Sequence, residues 1–195
     1  MPAKKTRDEW LAAAVADLRS DFKKAGAPLP KQVRVSVGFP SQGARPSAKQ
    51  RIGECWDGNG IGDKITQIYI SPVLDDPATA LGILVHELVH AAVGNACGHK
   101  GPFRKVALKV GLEGKMTSTS EGPELTARLK ALARKIGKFP HSKLNLQGRK
   151  KQTTRMLKSE CVGCEFIVRL SQKMIDLHGH PICPSCEGRM TLGGV

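Results

Sequence analysis

Aromatic side chains are scarce in this sequence: five Phe, two Trp and one Tyr, 4% of 195 residues. A core made from this chain has to lean on Leu, Val, Ile and Ala. Acidic residues are also few, 17 Asp and Glu against 31 Lys and Arg, which leaves a formal net charge of +14. That imbalance speaks to partners and not to fold, and nucleic acid is the commonest acidic polymer. Long apolar runs are missing: nothing approaches the roughly eighteen residues of a membrane span, so no membrane partner is expected. The basic start, Met1 to Arg7, has no apolar run behind it. The alanine-rich stretch after Trp10 is interrupted by Asp17, Arg19, Asp21 and Lys23, and is expected to be a helix and not a signal peptide. Without an export signal, the six cysteines are expected as thiols of a reducing compartment and not as three disulfides. A hydrophobic content of 40% excludes a chain disordered throughout.

The periodicities place the elements. Thr6 with Glu9 reads as a capping box, followed by Trp10, Ala14, Leu18 and Phe22 at helical spacing, with Leu11 and Val15 widening the stripe. Val33, Val35 and Val37 alternate with Arg34 and Ser36, as in a half-buried strand. Short strands are expected at Ile52 to Trp56 and at Ile65 to Ile70, separated by a glycine-rich turn. Asp57, Asn59 and Asp63 in that turn lack the spacing and terminal glutamate of a calcium loop. Asp76-Pro77 starts a strongly apolar helix that Gly94-Asn95 ends. Further helices are expected from Gly101-Pro102 to Gly111 and from Gly122-Pro123 to Gly137.

The apolar helix carries His86-Glu87-Leu88-Val89-His90. Residues four apart stand one above the other on a helix, so both imidazoles can bind one metal ion. Glu87 lies beside them, placed to take a proton from water and not to bind the metal. Two ordinary core histidines are the plain alternative, but three polar side chains in so apolar a helix need ligation or hydrogen bonds. A third ligand is required. His99, beyond the helix end, is the leading candidate. Glu113, Glu121, Glu124, Cys97 and His141 remain open.

Near the C-terminus, Cys161-x2-Cys164 and Cys183-x2-Cys186 have the spacing of two metal-binding knuckles that close one structural zinc site. About thirty-five residues bury too little to fold alone, so the metal would hold them together. Between Leu125 and Lys158 there are basic residues and no Asp or Glu. Arg128, Lys130, Arg134, Lys135, Lys138, Lys143, Arg149, Lys150, Lys151, Arg155 and Lys158 could neutralise phosphates, or simply solvate a helix face and a linker. Trp56 and Phe139 are the candidate stacking platforms.

His86-Glu87-Leu88-Val89-His90 followed by Cys97-Gly98-His99-Lys100-Gly101-Pro102-Phe103 resembles the SprT-like family of zinc metalloproteases, related to the Spartan proteases. Ile68-Tyr69-Ile70-Ser71-Pro72 resembles the strand ahead of that family's active-site helix. The resemblance implies His86, His90 and His99 as zinc ligands, Glu87 as the catalytic glutamate, and a zinc ribbon after the catalytic domain. Lys100 departs from the family's glycine-histidine-glycine context and leaves the placement of Phe103 open. The expectation is therefore an α+β chain. A zincin-like metalloprotease domain with a small antiparallel sheet and an HExxH helix (residues 1–140) leads through a basic linker (141–158) to a zinc ribbon (159–195). It would hold one catalytic and one structural Zn2+. The resemblance further implies action as an endopeptidase on DNA-bound or DNA-crosslinked protein. The expected partners are protein or peptide substrate and DNA, in particular single-stranded DNA; the expected state is a monomer in the cytoplasm or on the nucleoid, or in a host cytoplasm if viral. The alternative is a nucleic-acid-binding or transcription-associated zinc protein without enzymatic activity.

Overall fold

The computed structural model describes residues 5–44, 50–145 and 156–193. The chain divides into two compact units, Met1–Gln147 and Gly148–Val195.

The larger unit opens with helix α1 (Arg7–Lys24). Thr6 Oγ1 accepts from the Glu9 amide while Glu9 Oε2 accepts from the Thr6 amide, so the capping box is complete. Its apolar stripe, Trp10, Leu11, Ala14, Val15, Leu18 and Phe22, is fully inside. Strands β1 (Val33–Val37), β2 (Gly53–Trp56) and β3 (Thr66–Ile70) form a sheet in the order β1-β3-β2. The expectation of an antiparallel sheet holds for β2 against β3, but β1 runs parallel to β3. The reason is the connectivity: the short β2–β3 link makes a hairpin, while the chain leaving β1 returns through that hairpin and lays β3 alongside β1. Val35, Ile68 and Ile70 face the core, and Arg34, Gln67, Tyr69 and Trp56 occupy the opposite face.

Helix α2 (Pro77–Val93) is capped by Asp76, whose carboxylate accepts from the Thr79 amide at 2.7 Å, and stops at Gly94 with φ 79°. Ala80, Leu81, Leu84, Val85, Leu88 and Val89 are buried around it. Helix α3 (Pro102–Lys109) and helix α4 (Pro123–Ile136) start at the expected prolines. Between them lies a hairpin that the periodicity did not suggest, β4 (Leu112–Lys115) with β5 (Ser118–Glu121). One core joins α1, the sheet, α2, α3, β4 and α4. Phe139 belongs to it, stacked on Trp10 at 4.7 Å between ring centroids, and so is no surface stacking platform. The stretch read as the start of the linker is tied down: His141 Nε2 lies 2.8 Å from the Pro72 carbonyl, and the Leu144 amide donates to the same oxygen at 3.0 Å.

The smaller unit has strands β6 (Leu157–Cys161), β7 (Ile167–Leu170) and β8 (Met190–Leu192) in an antiparallel sheet of order β7-β6-β8, with helix α5 (Gln172–His178) inserted between β7 and the second cysteine pair. Leu157 and Lys158, read as linker, already lie in β6. The buried apolar residues of this unit are Cys161, Cys183 and Met190. Among the described residues no helix is long and apolar enough to cross a membrane.

Ion pairs tie α4 to α1. Arg128 reaches Asp17 and Asp21, and Lys135 reaches Asp17. Lys135, then Arg128, hold the Asp17 carboxyl below its usual range. The lower value belongs to the folded state. The stabilisation is therefore complete above the unfolded carboxyl value and is lost as pH falls through the folded one. Asp17→Asn should lower the stability of the larger unit by about 1 kcal/mol near neutral pH, a figure kept small because the cationic partners are partly exposed. Urea unfolding near pH 7 and at about pH 3 checks this: the difference from wild type should shrink at the acidic pH.

Candidate metal centre

Helix α2 brings His86 and His90 onto one face, and the turn after Gly94 returns His99 to them. That turn is clamped to the sheet. Asp57 Oδ2 accepts from the Asn95 amide at 2.8 Å, and Asn95 Nδ2 donates to the Cys55 carbonyl at 2.8 Å. The acidic turn thus serves as a structural clamp and not as a calcium loop: Asp57 also accepts from the Asn59 amide, Asp63 from the Ile65 amide, and Asp63 pairs with Arg34.

The three imidazoles converge through their Nε2 atoms. His86 and His90 each lie 3.2 Å from His99 by this nitrogen. Tetrahedral zinc with bonds of about 2.0–2.1 Å would set its nitrogens about 3.4 Å apart, so the spacing fits one ion. Three neutral rings cannot satisfy one another here, because each Nε2 has at most one proton to give. His86 Nδ1 lies 2.9 Å from Thr119 Oγ1 on β5, a partner that leaves Nε2 bare when Nδ1–H donates. His90 Nδ1 is buried with no hydrogen-bond partner, so its ring is not held by a protein acceptor at that atom. Phe103, fully buried at the start of α3, packs against all three rings at centroid distances of 5.0, 4.5 and 4.8 Å.

Burial, followed by the charge of His99, pushes His86 down to about 4. Burial, then His86 and His99, brings His90 down to about 3. Burial, then Arg51, lowers His99. All three are therefore neutral near pH 7, the form that ligates. Glu87 is buried beside the cluster, and burial raises its carboxyl to about 8, with Arg51 pulling the other way. Strand β2 passes directly over it. A Cβ on Gly53 would lie 2.5 Å from Glu87 Oε1 and 2.6 Å from Ile83 Cγ2, so only glycine permits that approach.

His86, His90 and His99 form one of two groups of potential ligands among the described residues. The competing third ligands are elsewhere. Cys97 contacts the Gly94 and Gly98 carbonyls, Glu121 lies against Gly82, Glu113 against Gly122, and His141 against Pro72. The sequence gives no sign of Thr119 and leaves the depth of Phe103 open. Thr119 sits in a short Ser/Thr-rich segment with no apolar alternation, and the aromatic after His99 had no fixed depth until α3 was placed.

The second group is Cys161, Cys164, Cys183 and Cys186. Sulfur separations of 3.4 Å for Cys161–Cys186 and Cys164–Cys186, and 3.5 Å for Cys164–Cys183, are far beyond a disulfide bond and close to the about 3.8 Å of tetrahedral zinc thiolates. The Gly163 amide donates to Cys161 Sγ and the Ser185 amide to Cys183 Sγ, each at 3.4 Å, as the knuckles turn. His178 and His180 stand outside; His180 Nδ1 contacts Ser159 Oγ at 3.0 Å. Four sulfurs make a closed set, whereas three imidazoles leave one vertex open.

Of the basic residues, Arg128, Lys135 and Lys158 are engaged with Asp17, Asp21 and Glu160. Lys130, Arg134 and Lys138 have no acidic partner among the described residues; Lys130 and Arg134 lie one turn apart on α4, and Lys138 follows beyond its end at Gly137. Arg149, Lys150, Lys151 and Arg155 lie outside the described residues.

Comparison with family models, curated proteins and solved structures found no match to this chain. The site therefore rests on its own geometry. The full chain should hold two zinc ions, and His99→Ala should hold one after dialysis against metal-free buffer, with unchanged circular dichroism. Elemental analysis checks it; two ions retained by His99→Ala would remove His99 from the centre.

Proposed function

We propose that this chain is a zinc-dependent endopeptidase of the SprT-like kind, acting on proteins held on DNA. The observation that carries the reading is a three-imidazole centre with an open vertex and a buried carboxylate beside it, directly under the edge of a sheet. Structural support alone would need neither the open vertex nor Glu87.

Zinc at this centre would supply a Lewis acid that polarises a carbonyl and lowers the pKa of water. The protein's part is proton handling and positioning. Glu87, whose carboxyl burial raises, would act as the carboxylate that the charge of a bound cation favours, taking a proton from the attacking water and returning it to the departing amine. Thr119 and Phe103 hold the imidazoles in register for that exchange.

Strand β2 supports a docking mode for the peptide. The Ser71 amide donates to the Ile52 carbonyl, which fixes residues 52, 54 and 56 as those bonded to β3. The backbone groups of 51, 53 and 55 therefore point to the free edge. The Arg51 amide is used by Gly43 and the Cys55 carbonyl by Asn95. Among the described residues the Gly53 N–H and C=O have no hydrogen-bond partner; Gly53 is buried above Glu87, so one peptide unit of an extended substrate would pair there only once that edge is uncovered.

DNA as the place of action is supported by the net charge of +14 and by Lys130, Arg134 and Lys138, which have no acidic partner among the described residues. The decisive test is Glu87→Gln. It should keep both metal ions and lose cleavage of a nucleic-acid-binding protein by about 100- to 10,000-fold, measured with and without single-stranded DNA. Undiminished cleavage would overturn the mechanism. A wild-type chain that binds DNA and cleaves nothing would favour a non-enzymatic binding protein.

A further inference from the structure

The larger unit has seven aromatic side chains other than histidine, and four of them, Trp10, Phe22, Phe103 and Phe139, are buried in its core. The remaining three, Phe39, Trp56 and Tyr69, all line one groove of about 500 Å³ on the outer face of the β1-β3-β2 sheet. The metal centre does not use it, lying on the other side of β2, where Gly53 meets Glu87.

The register explains the convergence. Trp56, Gln67 and Arg34 are neighbours across the three strands, and Glu54, Tyr69 and Ser36 form the adjacent row. Tyr69 is overlaid by the backbone at Gly38, which delivers Phe39 to the rim. Trp56 is 40% exposed and Phe39 38%. The Trp56 ring is nevertheless fixed, because its Nε1 donates to Glu54 Oε2 at 3.0 Å. Glu54 also accepts from the Ser41 amide, the Ser41 hydroxyl and Arg51, at 2.8, 2.7 and 2.8 Å. The one carboxylate in the groove is thus neutralised and does not repel an anionic strand.

We propose that this groove binds unpaired bases of single-stranded nucleic acid, which stack on Trp56, Tyr69 and Phe39. A pre-oriented aromatic costs little entropy to dock against, and every base offers a π-face, so the binding is indifferent to sequence. At the end of the Trp56 row Arg34 is held by Asp63, and the Gln67 side-chain amide donates to the Ile68 carbonyl, so the contact to a base is stacking on the three rings. A neutral groove on a chain of charge +14 suits a ligand whose bases are neutral and whose backbone is anionic. A peptide side chain is the competing occupant.

Trp56 itself reports the outcome, since the other tryptophan, Trp10, is buried. The full zinc-loaded chain is titrated with oligothymidylate and with a duplex of equal length while tryptophan emission is followed. Oligothymidylate should quench the emission and the duplex should not. Followed by the anisotropy of fluorescein-labelled oligothymidylate, since these variants lack the reporting ring, Trp56→Ala should weaken binding about 5- to 100-fold without changing its salt dependence, and Trp56→Phe should restore most of the affinity. The proposal is overturned if Trp56→Ala binds as tightly as wild type, if the duplex quenches equally, or if a substrate peptide quenches and oligothymidylate does not. Cleavage activity is not the readout, so failure here leaves the endopeptidase reading standing.

Discussion

Three imidazole nitrogens facing one another in a folded interior repel unless a cation lies among them, and much of the larger unit is arranged to keep them there. His86 and His90 are carried on a helix whose remaining faces are buried in the core, so they cannot swing away without unpacking it. His99 arrives on a turn that Asp57 and Asn95 fasten to the sheet. Phe103 closes the space behind all three rings. The centre is thus preorganised by packing, and the ion would not have to assemble it.

The parts legible in the sequence were those in which local chemistry and global fold agree. The α1 stripe, the Asp76-Pro77 start and the Gly94 stop of α2, and the alternation of β1 and β3 each carry a period or a cap that tertiary packing did not override. The histidine pair and the cysteine knuckles were legible because ligand spacing follows from helix and turn geometry. What was hidden depends on distant pairing. The β4–β5 hairpin is largely exposed beyond Leu112, its second strand is Ser/Thr-rich without an apolar face, and its worth lies in Thr119 meeting a histidine 33 residues away. The parallel pairing of β1 with β3 is a property of the chain path, and no local signal encodes it.

Charge needed the structure most. A sequence count treats every lysine and arginine alike, yet α4 divides them by face. Arg128 and Lys135 look toward α1 and are met by Asp17 and Asp21, while Lys130 and Arg134 look elsewhere. Aromatic residues divided in the same way: Phe139 went to the core and Trp56 stayed on a sheet face.

The two candidate metal sites differ in what surrounds them. The imidazoles sit against a core continuous through four helices, which would keep its shape with or without an ion. In the smaller unit, two of the three buried apolar residues are themselves cysteines of the cluster. Starved of zinc, the chain would fall silent at one end and come undone at the other.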